Sequence, residues 1–118
     1  MKSGIVLLAH GSRDPQWSQP FERIAASVAQ KLPAAAVALA YLEHGPSLEE
    51  AVSALVAKGV GSIRVVPLFL GPGGHVREDV PALVSTISRP GVQVRLEKPI
   101  GEQPQVIEAI AAAICASR

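Results

Sequence analysis

Cysteine is nearly absent from these 118 residues: the chain has one, Cys115. A single thiol closes no disulfide within the chain, which excludes a small scaffold held by bridges. By residue type Cys115 reads as a small core hydrophobe near the C-terminus, not a nucleophile. Aromatic residues are as scarce, 3% of the chain against a hydrophobic content of 48%. The core is therefore built from Val, Leu, Ile and Ala, a composition that suits parallel strands covered by alanine-rich helices. Trp17, Tyr41 and Phe69 read as core or rim residues and are assigned no task. An excess of either charge is also missing, with eleven basic and ten acidic residues giving a formal net charge of +1. That excludes an electrostatic footprint for nucleic acid or an anionic membrane, so an anionic ligand must be met by local charges. No run approaches the roughly 20 apolar residues that span a bilayer. The apolar run near the start is too short for a signal-peptide core and leads into charge, so a cytoplasmic chain is expected.

What is present is a regular alternation. Residues 4–9 (GIVLLA) form a short continuous apolar run, as expected of a strand buried on both faces. From Phe21 to Leu32 the apolar positions take helical spacing, which Pro33 stops. Residues 36–42 (AVALAYL) give a second strand. Ser47 to Glu50 then form a capping box, and Leu48, Val52, Leu55 and Val56 form a helix face that Gly59 terminates. Residues 62–70 (SIRVVPLFL) are a third strand, with Pro67 predicting a bulge or an edge position. Asp79 is placed to cap a third helix bearing Val80, Leu83, Val84 and Ile87, with Pro81 in its first turn. A weaker strand over 92–96 and a helix over 106–114 complete four βα units in one domain, 1–118. This order predicts an α/β fold, a single three-layer lobe with a four-stranded, mostly parallel sheet and helices on both faces.

In such a sheet ligands bind outside the carboxyl ends of the strands. His10 follows the first strand, Glu43 and His44 the second, and His75 the third, so all three histidines and one carboxylate converge on one edge. Imidazole and carboxylate together suit a divalent transition metal and leave coordination positions open. If strand geometry persists past residue 42, His44 points to the side opposite Glu43. Ser12 and Arg13 after His10 are candidates to grip a carboxylate or phosphate, the guanidinium being suited to bidentate contact. Gly71, Gly73 and Gly74 permit a bulky ligand to approach the backbone, and without a P-loop lysine they are no nucleotide signature. Glu49, Glu50 and Glu78 read as helix-start residues complementing the dipole.

The stretch LLAHGSRDP, Glu43, the run VVPLFLGPGGHVREDVP and the helix after it resemble the class II tetrapyrrole chelatases, specifically the short CbiX-like sirohydrochlorin chelatases. The resemblance covers nearly the whole chain and implies a flavodoxin-like, chelatase-like lobe. It implies insertion of a divalent metal into sirohydrochlorin or a related tetrapyrrole without a nucleotide, with cobalt leading towards cobalamin and iron towards sirohaem, and nickel a further candidate. Carried over by motif, His10 and His75 are the catalytic residues, and His10, Glu43 and His75 hold the metal. Ser12, Arg13, Gly73, Gly74 and Arg77 bind the substrate's carboxylates and flat ring. Chelatases of this class face a cleft with two such lobes, so one lobe implies a homodimer. His44 lies outside the family's pattern. Histidine as a residue type titrates near neutral pH and suits acceptance of the two pyrrole protons that leave as the metal enters. The rival readings are a divalent-metal delivery module with no chelatase activity, and a phosphohistidine-type enzyme. Ala9, standing where that enzyme would place an arginine before His10, counts against the second.

Overall fold

The computed structural model describes residues 2–11, 14–71 and 74–116, over 74–78 as backbone alone. Four strands, β1 (Lys2–Ala9), β2 (Ala36–Tyr41), β3 (Val60–Pro67) and β4 (Gln93–Leu96), form one sheet in the order β2-β1-β3-β4. All three pairings are parallel. The continuous apolar run predicted β1 to be central, and Ile5, Val6, Leu7, Leu8 and Ala9 are all buried. Their side chains alternate, so each face of the sheet has its own apolar set.

Helices α1 (Gln19–Lys31), α2 (Leu48–Ala57), α3 (Gly74–Ile87) and α4 (Pro104–Ala116) follow the strands in turn. The step from β1 to β2 runs one way across the sheet and the steps to β3 and β4 run the other way. Right-handed crossovers therefore put α1 on one face and α2 with α3 on the opposite face. The main core lies on the α2/α3 face, where Val6, Leu8, Ile63 and Val65 meet Leu48, Val52, Leu55, Val80 and Val84. Two 3-10 turns, Pro15–Ser18 and Ile100–Glu102, precede α1 and α4. No helix among the described residues is long and apolar enough to cross a membrane.

The start of α2 is as the residue types require. The Ser47 side chain accepts from the Glu50 backbone N–H at 3.1 Å, and the Ser47 backbone N–H donates to the Glu50 carboxylate at 2.9 Å. The Ser47 backbone bond, then the Ser47 side chain, holds the Glu50 carboxyl below its ordinary range, with desolvation opposing. A lowered folded-state pKa adds stability that is present at neutral pH and is lost as pH falls through that lowered value. Thermal melting between pH 7 and pH 3 is therefore expected to show wild type above Glu50→Gln at neutral pH and the two converging in acid.

Three expectations are corrected. Pro67 causes no bulge: β3 is an interior strand, and its register shift lies between Lys2 and Ser3 of its β1 partner. The next residue restores the ladder, Leu68 N–H donating to the Leu8 carbonyl at 2.8 Å. Pro67 itself faces β4, whose pairing has ended at Leu96 opposite Val65, so no ladder donor is missed there. Asp79 does not cap α3, which begins at Gly74 and carries Pro81 inside it. Glycine is a poor helix former and Pro81 reads as a first-turn residue, so both pointed to a start later than Gly74. Cys115 is exposed, because α4, unlike the other three helices, does not pack on the sheet.

Candidate active site

The strand order places β1 and β3 side by side at the centre of the sheet, with β2 flanking β1. His10 leaves the end of β1 as an exposed side chain, its ring centroid 4.6 Å from that of Phe69, which is itself buried just beyond β3. Glu43, also exposed, follows β2, and its backbone N–H donates to the His10 carbonyl at 2.9 Å. The bond before it, Leu42 N–H to the Ala9 carbonyl at 3.0 Å, extends the β1–β2 ladder past both strands. His10 and Glu43 are thus fixed on adjacent backbones by bonds that do not depend on their side chains.

His44 turns back towards the protein. Its ring stacks on Tyr41 at 4.5 Å, and its Nδ1–H donates to the Gly45 carbonyl at 2.8 Å, which leaves the neutral ring's lone pair on Nε2. Gly11 makes room for it: with φ +93°, a Cβ there would lie 2.9 Å from His44 Cδ2 and 3.1 Å from Tyr41 Cβ. Gly11→Ala combines a left-handed backbone with that contact, and is expected to cost about 1–2 kcal/mol in urea unfolding. The Tyr41 phenol is raised above its ordinary range by burial first and by the negative charge of Glu22 second, with a Ser18 hydrogen bond opposing. The start of α1 therefore lies against the end of β2. Asp14, its side chain accepting from Gln16 N–H at 2.9 Å, opens the 3-10 turn, and Trp17 in that turn packs on Phe21 at 4.6 Å with 37% of its surface exposed.

His75 and Arg77 lie in the first turn of α3, which leaves the β3 side of the same edge, and Gly74 is its first residue. Their side chains are outside the description. Ser12, Arg13 and Gly73 lie outside the described residues. Among the described residues no group of three or more His, Cys, Asp or Glu side chains is gathered as a metal cage. The sequence placed His10 and Glu43 at one edge, where they stand, but showed neither the Tyr41–His44 stack nor the role of Gly11, whose only signal was its position directly after His10.

A cavity of about 580 Å³ lies at the opposite, amino-terminal edge, lined by Lys2, Lys31, Arg64 and Arg95 among others. It is remote from the strand ends that carry the histidines.

Comparison with known proteins supplies the class and then the family. A CbiX protein assigned to cobalamin biosynthesis in Marinobacter aquaeolei VT8 superposes with a TM-score of 0.84 at 40% identity, over 97% of this chain and 95% of that one. The sirohydrochlorin chelatase SirB from Bacillus subtilis subspecies spizizenii, solved with cobalt, gives a TM-score of 0.84 at 27% identity, over 98% of this chain and 51% of that one. Among curated relatives, the sirohydrochlorin cobaltochelatase of Methanosarcina acetivorans is 36% identical over 85 residues, 71% of this chain and 65% of that protein. The match thus spans just under two thirds of the Methanosarcina protein and about half of SirB. The lobe shares the fold of these solved proteins. The CbiX family model matches residues 4–117, and the chain belongs to the CbiX family.

Proposed function

We propose that this chain inserts a divalent metal, cobalt first and iron second, into sirohydrochlorin or a closely related tetrapyrrole without a nucleotide. It does so in the cytoplasm as a homodimer whose two lobes enclose the macrocycle. The observation that carries this reading is the direct backbone bond between Glu43 and His10. It holds the backbones of an imidazole-bearing and a carboxylate-bearing residue side by side at the edge from which α3, with His75 in its first turn, also departs.

The chemistry follows from these residue types. The metal is a substrate: imidazole nitrogen and carboxylate oxygen hold it loosely enough to keep positions open for pyrrole nitrogens. As it moves from these ligands into the ring, two pyrrole N–H protons leave; a histidine freed of the metal accepts one and the other passes to solvent water. His10 and His75 perform the holding and the proton acceptance. Ser12, Arg13 and Arg77 clamp the peripheral carboxylates, and Gly73 and Gly74 let the flat ring approach the backbone.

The test follows the visible absorption of sirohydrochlorin with Co²⁺, Fe²⁺ and Ni²⁺, with and without the protein. A protein-dependent rate is expected with Co²⁺ and Fe²⁺. Rates equal to those of metal and tetrapyrrole alone, with tight binding of the metal ion, would move the chain to metal delivery.

A further inference from the structure

We propose that the rings of His44 and Trp17 form a stacking platform on which the flat face of the macrocycle lies. The proposal rests on the tetrapyrrole reading above and adds to it the side chains that hold the ring system itself. The chain has one Trp, one Tyr and two Phe. All of them stand at or beside the carboxyl edge of the sheet, in three ring pairs among the described residues: Phe69 with His10, Phe21 with Trp17 and Tyr41 with His44. Apolar packing does not ask for this placement, because the main core is filled by Val, Leu, Ile and Ala apart from Phe69.

Each pair has the same build, an inner ring backing an outer one. Phe69 and Tyr41 are buried and Phe21 is half-buried, while His10, Trp17 and His44 are exposed. The metal and proton chemistry uses His10 and leaves the other two outer rings without a task. His44 lies 29° from parallel to Tyr41, so its second face is turned away from that ring, and Trp17 leans on Phe21 at 42°. Open aromatic faces gain most from a flat conjugated partner.

Both rings are held before any ligand arrives. The loop that carries His44 is fixed by the backbone bonds of Leu42 to Ala9, Glu43 to His10 and Tyr41 to Pro46, and the His44 Nδ1–H is committed to the Gly45 carbonyl. The turn that carries Trp17 is closed by its own N–H donating to the Asp14 carbonyl at 3.0 Å and by the Ser18 hydroxyl donating to the Pro15 carbonyl at 2.8 Å. Tyr41 joins the two segments, its phenol sharing a hydrogen bond with Ser18, the residue after Trp17. Rings fixed in this way lose little freedom on binding. Their place also fits a macrocycle. The Cδ2–Nε2 edge of His44 lies over Gly11, directly after His10. A ring system whose centre is served by His10 then has its margin over His44 and Trp17. Stacking grips that margin whichever metal enters at the centre.

Equilibrium dialysis of metal-free sirohydrochlorin, with a chelator present, measures ring binding apart from insertion. His44→Leu and Trp17→Leu keep apolar bulk and lose the flat ring; each is expected to weaken binding about 5- to 10-fold. His44→Phe and Trp17→Phe keep a flat ring and are expected to bind within about 3-fold of the unaltered chain. His44→Phe also lacks ring nitrogens, so its binding separates stacking from a contact through nitrogen. At either position, a Leu variant that binds as well as its Phe counterpart would overturn the platform, whether both bind tightly or both weakly. Sedimentation of the four variants checks assembly: a mass differing from that of the unaltered chain would assign the rings to contact between copies and overturn the proposal too. Failure of the wider reading looks different. An unaltered chain that binds no sirohydrochlorin removes the tetrapyrrole and the platform together, whereas one that binds it and inserts Co²⁺ while the Leu variants bind equally well loses the platform alone.

Discussion

His10→Ala should slow cobalt insertion into sirohydrochlorin by about 100-fold or more, the ordinary contribution of a positioned proton acceptor. The His10 side chain is exposed and its ring lies against the Phe69 ring at 4.6 Å, so its loss removes little folding energy. Surface changes of that kind stay within about 0.5 kcal/mol, and the thermal midpoint should move by no more than about 2 °C. Activity and stability thus separate. His75→Ala is expected to lose rate to a similar degree. Stopped-flow absorbance for the rate and calorimetry for the midpoint check both variants; a His10→Ala protein that keeps its rate would remove His10 from the chemistry.

Gly101→Ala carries the largest expected effect on stability. A Cβ at residue 101 would clash with the Leu70 backbone, which cannot swing aside as a flexible side chain can. The 3-10 turn must lift off, and the Gly101–Phe69 backbone bond goes with it. Forced overpacking of this kind costs about 3 kcal/mol, a fall of about 10 °C in the thermal midpoint of a domain this size. Since Phe69 also packs on His10, the same variant should lower the insertion rate well below the melting transition. Calorimetry beside the absorbance assay reads both. A midpoint within 2 or 3 °C of wild type, on the order of a surface substitution, would mean the turn relaxes at little cost.

Much of this lobe is legible in the sequence where one local force decides. The Ser47–Glu50 box, the buried run of β1 and the arrival of His10 and Glu43 at one edge follow from residue types and element order. What escapes is decided between elements. The start of α3 at Gly74 is silent because glycine has poor helix propensity and Pro81 reads as a first-turn residue. Pro67 misleads because its tolerance depends on where β4 ends, 29 residues later at Leu96. The exposure of Cys115 is invisible because periodicity tells which helix face is apolar but not what covers it.

Trp17 is the only tryptophan in the chain, and it stands partly open in the turn that follows the His10 loop. The indole emission of the whole protein therefore has one source, fixed on Phe21 beside the strand ends. A tetrapyrrole settling at that edge brings a strong absorber close to a single emitter. Arrival and departure of the macrocycle can then be followed as quenching and recovery of intrinsic fluorescence, separately from the absorbance change that reports metal insertion.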